Sequence, residues 1–334
     1  MTETTMRFPM RKTVLRRCTL AALSLCAAGV LQAQTAAPWP SKTIRIVVGF
    51  APGGSTDVMA RILAQSIGES VGQTVIIENK PGASGNIAAA EVVRAAPDGH
   101  AFLIAPTSVE TANPSLFKST LLPSRDLTPV GGVGRTQMYL VAKPQMDVKD
   151  ARGLVALARA QPGKLSYASA GTGTPPHLAC ELFKLATGTY VTHVPYRGAA
   201  PALLDVVSGQ ADFVCDPGIA FPHIRSHKVK LLGVVSSKRS PFFPDVPTVA
   251  EQGFPGADLD IWFGMWAPNG TPPEVIARMN RELAKALALP VTKTRYADLG
   301  AEPVPLSTSE FKTLLVSEGK LLSTLIRKQK IAVD

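Results

Sequence analysis

Cysteine is scarce in this chain: four among 334 residues, with Cys18 and Cys26 inside the first thirty positions. Cys180 and Cys215 remain, too few for a disulfide framework. They can pair in an oxidising compartment, but two buried, unpaired thiols are the preferred expectation. The five histidines are scattered, and no Cys/His spacing matches a metal site. Aromatic residues make up only 6% of the chain and do not interleave with a Lys/Arg stripe, so the net charge of +10 does not point to nucleic acid. No apolar run reaches the roughly 20 residues of a membrane span. Gly-x-Ser-x-Gly, GxxxxGK and post-strand GxGxxG motifs are all missing, and no Ser/His/Asp set stands in a recognisable local context. These absences argue against a hydrolase and against a nucleotide enzyme, and no cofactor or metal is expected. Fixed-period repeats, low-complexity tracts and coiled-coil heptads are also missing.

What is present begins with a leader. Arg7, Arg11, Lys12, Arg16 and Arg17 make a basic segment, and the apolar stretch from Leu20 to Leu31 follows. Small residues then favour cleavage after Ala33, giving a signal peptide over 1–33 and a periplasmic product. Ordinary export is preferred to a twin-arginine route, and the leucine before Cys26 fits lipoprotein processing poorly. The mature part, about 300 residues long, is enough for two lobes with real cores. Its net charge of about +6 would steer anions mildly.

Two glycine-rich turns stand out. Phe50-Ala51-Pro52-Gly53-Gly54-Ser55-Thr56-Asp57 and Ser169-Ala170-Gly171-Thr172-Gly173-Thr174-Pro175-Pro176-His177 each follow a short strand-like run and precede an amphipathic stretch. Such strand-to-helix turns leave main-chain N–H groups at a helix N-terminus, where the dipole favours negative charge. Two of them could close on a small anion from opposite sides. Strand-like and helix-like segments alternate along the mature chain, which argues for an α/β fold. Strands are expected at 44–48, 74–78, 101–105, 164–168, 190–194, 211–215, 230–235 and 261–267, and Ser55 or Thr56 is expected to cap the first helix.

The ordered motifs carry a resemblance. Trp39-Pro40, the first glycine turn, Glu78-Asn-Lys-Pro-Gly-Ala-Ser-Gly-Asn86 and Ala96-Pro-Asp-Gly-His100 come first. Tyr167-Ala-Ser-Ala-Gly-Thr-Gly-Thr174, His193-Val-Pro-Tyr-Arg-Gly198, Pro244-Asp-Val-Pro-Thr-Val-Ala-Glu251 and Trp262-Phe-Gly264 follow. Together they resemble the Bug (Bordetella uptake gene) family, substrate-binding proteins of the tripartite tricarboxylate transporter system. The resemblance implies a two-lobed, Venus-flytrap, type II-like periplasmic-binding-protein architecture with the ligand in the cleft. Lobe 1 would comprise 38–137 plus 258–334, and lobe 2 would comprise 138–257. The implied partners are a small carboxylate and a tripartite-tricarboxylate-type membrane permease. A signalling receptor is the alternative partner, a periplasmic hydrolase is the remote alternative function, and the protein is expected to be a monomer.

Carried over residue by residue, the resemblance puts Phe50, Ala51, Gly53, Gly54 and Ser55 on the first wall of the cleft. Asp57 would hold that turn and orient water. Ser169, Gly171, Thr172, Gly173 and Thr174 would form the second wall, a side chain at Gly173 intruding on ligand space. His177 either contacts ligand or locks its own loop. Ser84 lies in a third small-residue turn where relatives more often carry glycine, and Ser108 follows a strand. Tyr196 and Arg197 precede a helix, Arg197 being chemically suited to a carboxylate. Asp216 stands at the cleft edge or serves a turn.

Overall fold

The computed structural model describes residues 1–4, 39–118, 122–328 and 331. The expected leader, with its basic and apolar segments and the cleavage after Ala33, falls almost wholly at 5–38 and lies outside the described residues. The chain divides into two units, Met1–Ser41 and Lys42–Asp334, and both sheets belong to the second.

The first sheet is built around β1 (Ile44–Val48), which leads through a glycine turn into α1 (Ser55–Val71) and back to β2 (Val75–Asn79). After α2 (Asn86–Val93), β3 (Ala101–Pro106) lies parallel to β1 on its other side. Every residue of β3 is buried, as expected of a continuous apolar strand covered on both faces. β4 (Leu127–Thr136) also belongs to this sheet, and from its end the chain passes at once into the second one.

The second sheet holds β5 (Tyr139–Ala142), β6 (Ser166–Ser169), β7 (Thr192–Pro195), β8 (Phe213–Asp216) and β9 (Lys230–Val234). Helices α3 (Ala151–Ala160), α4 (Pro175–Thr187) and α5 (Ala199–Ser208) connect them. The chain then returns to the first sheet as β10 (Ile261–Pro268), followed by α6 (Pro273–Ala288), α7 (Pro290–Asp298), β11 (Ala301–Glu302) and α8 (Thr308–Lys328). The strand orders are β11-β4-β10-β3-β1-β2 and β7-β6-β8-β5-β9. Within each sheet, parallel strands linked by helices sit beside antiparallel strands that arrive from the other sheet. The fold is thus two α/β lobes, each with its own core. Trp266 and Phe311 pack edge-on in the first at 5.1 Å, and Tyr139 and Phe221 do so in the second at 5.0 Å.

The cysteines depart from expectation. Cys180 on α4 and Cys215 on β8 form a disulfide with a Cα–Cα distance of 5.8 Å. Their 35-residue separation hides this pairing, because α4 packs directly against β8 and brings the two positions face to face.

Candidate functional site

The first glycine turn is built by Asp57. Its Oδ2 accepts the Gly53 N–H at 2.9 Å, its Oδ1 accepts Asn79 Nδ2 at 2.8 Å, and Arg61 Nε lies 3.0 Å from Oδ2. Asn79 also donates to the Phe50 carbonyl at 3.0 Å. Burial pushes the Asp57 carboxyl up, but the bonds from Arg61, Gly53 and Asn79 outweigh it and hold the group below its ordinary range. The N-cap is Gly54, with φ −77° and ψ 164°, not Ser55 or Thr56. Asp57 reaches back from the first turn as the acid of a capping box does, which leaves the Ser55 hydroxyl to bond the Pro217 carbonyl at 3.4 Å.

Histidines hold the second turn. Gly173 N–H donates to His177 Nδ1 at 3.0 Å, and Gly171 N–H donates to Ser169 Oγ at 3.1 Å. Ser169 Oγ lies 2.6 Å from His193 Nε2. The His193 ring stacks on His177 at 4.3 Å and on Tyr167 at 4.8 Å, and those two rings lie 6.3 Å apart. Burial first, and then the neighbouring His177, push His193 down to about 4, so near neutral pH an uncharged ring shares this hydrogen bond with the Ser169 hydroxyl. Thr174 caps α4 and donates its hydroxyl to the Gly171 carbonyl at 2.6 Å.

Three hydrogen bonds near these turns join segments of the first sheet's half to segments of the second's. Ser84, at φ 53°, donates its hydroxyl to the Thr172 carbonyl. The second is the bond from Ser55 to Pro217 already described, and in the third Ala51 N–H donates to the Arg197 carbonyl at 3.2 Å. Gly198 makes that last contact possible. A Cβ there would stand 2.9 Å from the Ala51 Cβ, and φ is +150°.

Two adjoining cavities lie between these turns, sharing Phe50 and Ala170. The inner one is small, about 30 Å³, and three helix starts meet there: Gly54, Ser55 and Thr56 of α1, Thr174 of α4, and Ala199 of α5. Pro106, Ile261, Phe263 and Pro217 complete an apolar surround. The outer cavity, about 290 Å³, is lined by Ser84, Phe117, Gly171, Thr172, Tyr196 and Arg197, among others. Positive helix ends pointing at one space favour an anion there. Pro175 and Pro176 open α4 without N–H groups, so that helix contributes its dipole more than its donors.

The structure therefore brings together Phe50, Gly54, Ser55, Ser84, Gly171, Thr172, Thr174, Tyr196 and Arg197 around the two cavities. Ala51, Gly53, Asp57, Ser169, Gly173 and His177 stand behind them and fix the turns. A Cβ at Gly173 would meet the Phe117 ring at 2.9 Å, so a side chain there presses on that ring and not on the cavity. Ser108 is buried in the helical turn Ser108–Thr111, outside both linings. Asp216 is fully buried, and its Oδ2 accepts the N–H groups of Gly218 at 2.7 Å and Ala220 at 2.9 Å. Burial raises its carboxyl to about 7. Tyr196 donates its hydroxyl to Asp205 at 2.5 Å, and burial, followed by that bond, raises it to about 12. Phe117, Ala170, Ala199, Pro217, Ile261 and Phe263 carry no chemical signal in the sequence. Only Ala170, inside the second glycine turn, and Phe263, inside Trp262-Phe263-Gly264, fall within the ordered motif set.

Among the described residues, no cluster of three or more His, Cys, Asp or Glu could hold a metal ion, and no helix is long and apolar enough to cross a membrane.

Residues 59–331 match the model of the tripartite tricarboxylate transporter family receptor. The chain is 35% identical over 312 residues to Protein BugT of Bordetella pertussis, covering 91% of this chain and 94% of BugT. Among solved structures it is similar to the R. palustris protein Rpa4515 with adipate, with a TM-score of 0.85 and 32% identity over 88% of this chain and 99% of that one. It is also similar to MatC from Rhodopseudomonas palustris with bound malate, with a TM-score of 0.83 and 34% identity over 86% and 100%.

Proposed function

The chain belongs to the tripartite tricarboxylate transporter receptor family, and from that membership we propose that it captures a small carboxylate in the cleft between its lobes. The family is one of solute receptors and not of enzymes, so the protein works by binding and closing, without turnover. Lobe 1 is formed by 38–137 and 258–334 and lobe 2 by 138–257. The exported protein, processed after Ala33 and monomeric in the periplasm, delivers its ligand to a membrane permease of the tripartite tricarboxylate type.

One observation carries this reading: helix starts from both lobes converge on the inner cavity. A carboxylate seated there meets first-turn N–H groups of α1 and α5 together with the dipoles of three helices. Bonds to a charged acceptor are the stronger kind, so a few donors suffice for useful affinity. Ligand held by both lobes stabilises the closed state through contacts the open state lacks. That adipate and malate occupy the two similar structures supports the same ligand class.

Thermal denaturation of the purified mature protein against a panel of dicarboxylic acids and sugars tests the reading. A rise in melting temperature with acids alone is expected. Stabilisation by sugars, with none by any acid, would overturn it.

A further inference from the structure

A further cavity, about 310 Å³, lies between α8 and the segment by which the chain returns from the second sheet to the first. It shares no lining residue with the two cavities of the cleft. Side chains alternate across a sheet, so Ile261 and Phe263 face the inner cavity of the cleft while Trp262 between them faces this one. Trp262, Leu314 and Leu322 give it an apolar wall. Among the described residues its three charged members, Asp258, Asp260 and Glu318, are all acidic, against a net charge of +10 for the chain.

Asp260 is already engaged: Ser236 Oγ donates to its Oδ1 at 2.6 Å, and Arg135 Nη1 lies 3.7 Å from its Oδ2. Asp258 and Glu318 make no ion pair among the described residues. Glu318 Oε2 is buried and has no hydrogen-bond partner there. Burial raises this carboxyl to about 7, and the Thr107 and Thr111 hydroxyls offset only part of the rise. A buried carboxylate oxygen without a donor is costly, and a cation set against it removes the cost. The acids are not gathered for a metal, since no cluster of three or more His, Cys, Asp or Glu among the described residues could hold one. Acids spread over an apolar wall suit an organic cation with a hydrocarbon body instead.

We propose that this cavity is a second ligand site, separate from the cleft, which takes an aliphatic diamine. One ammonium bonds Glu318 Oε2 and the other bonds Asp258, with the methylene chain along Leu314, Leu322 and Trp262. Asp258 belongs to the returning segment and Glu318 to α8, so a cation at each end of the ligand bridges the two elements. The proposal does not rest on the carboxylate reading of the cleft.

The experiment is calorimetric titration of the mature chain at pH 8 with 1,5-diaminopentane, pentylamine and 1,5-pentanediol, with magnesium chloride as the inorganic control. The diamine should bind with a Kd of about 0.1 mM, pentylamine about tenfold more weakly, and the diol and magnesium not at all. Glu318→Gln, close in shape but uncharged, should weaken the diamine by about tenfold or more, and Asp258→Asn should bring it down to the level of pentylamine. Both variants should melt no lower than the wild type, because Asp258 is exposed and Glu318→Gln removes a buried carboxyl. The diamine should also change tryptophan emission, and Trp262→Phe should abolish that change. No heat from either amine up to about 10 mM overturns the proposal, as does a diamine affinity unchanged in Glu318→Gln. Pentylamine binding as tightly as the diamine overturns the second contact at Asp258. Magnesium binding that competes with the diamine and is lost in Glu318→Gln overturns the diamine in favour of an inorganic cation.

Discussion

His177 Nδ1 accepts the main-chain N–H of Gly173 at 3.0 Å, so a side chain from the first turn of α4 holds the glycine turn that precedes it. Both partners are buried, His177 being only 4% exposed. His177→Leu removes the acceptor and leaves a buried donor unpaired, at a cost of about 1–3 kcal/mol. His177→Asn keeps an acceptor within reach of the turn and should lose less. Chemical denaturation gives the stability difference, and titration with a bound acid gives the affinity. If Leu and Asn variants lose equally in both measurements, the bond is not what shapes the turn.

The two turns were legible in the sequence because glycine and proline act locally. Phe50–Gly54 and Ala170–Thr174 announce strand-to-helix corners through residues that fix or free their own dihedrals. The strands beside them were legible for the same reason, from apolar runs bounded by turn residues. The inner lining was not. Pro106, Ile261, Phe263 and Pro217 meet only because β3 and β10 are sheet neighbours and β8 ends opposite α1. Sheet order is a property of the whole chain, and no single segment states it. Nothing local marks β4 as a strand either, since Pro129, Gly131, Gly132 and Gly134 all disfavour one. All three glycines admit neighbours a Cβ would strike: Asn280 Nδ2 at 2.3 Å from position 131, Leu306 at 2.9 Å from position 132 and the Tyr296 ring at 2.9 Å from position 134. The direction of Gly173 was hidden likewise, because it depends on Phe117, a residue distant in the chain.

Gly198 is a point where a close approach beside the cavities is sensitive to volume. Ala51, which its missing Cβ would strike at 2.9 Å, follows β1 of the first sheet, whereas Gly198 follows β7 of the second. Gly198→Ala should cost about 1 kcal/mol of folding stability through its positive φ. Its larger effect should fall on ligand affinity, about tenfold, because only the closed form requires the close approach. Small-angle scattering should show the wild type contracting with ligand and the variant contracting less. Ala51→Gly added to Gly198→Ala should recover part of the loss. Additive losses in the double variant would show that the two residues do not meet on closing.

Two buried groups bend stability with pH in opposite senses. Asp216 has its folded value raised by burial to about 7, so the native state keeps a proton the unfolded chain has lost. Its contribution is full below the ordinary carboxylate range and fades as pH rises through about 7. His193 is lowered to about 4, chiefly by burial, so its contribution is full above the ordinary histidine value and fades as pH falls through about 4. Asp216→Asn removes the first effect while keeping an oxygen for the Gly218 and Ala220 N–H groups. Relative to wild type, the variant should gain roughly 1–3 kcal/mol between pH 4.5 and pH 8. Urea unfolding at several pH values measures the difference, and parallel curves for the two proteins would refute the assignment.

The disulfide ties together two elements that line the same cavity. Cys180 lies on α4, whose start contributes Thr174 and two prolines, and Cys215 lies two residues before Pro217. A cross-link closing a loop of this length removes about 4 kcal/mol of unfolded-state entropy, an upper limit that native strain reduces. Cys180→Ala with Cys215→Ala should therefore lower unfolding free energy by about 2–4 kcal/mol. Both cysteines are fully buried, so a thiol reductant should reach them only through unfolding. Dithiothreitol is expected to shift the urea midpoint downward while leaving native ligand affinity unchanged. Free thiols appearing in native protein under reductant alone would mean that α4 opens from β8 without global unfolding, and affinity measured on that reduced protein would then show whether the second wall depends on the bond.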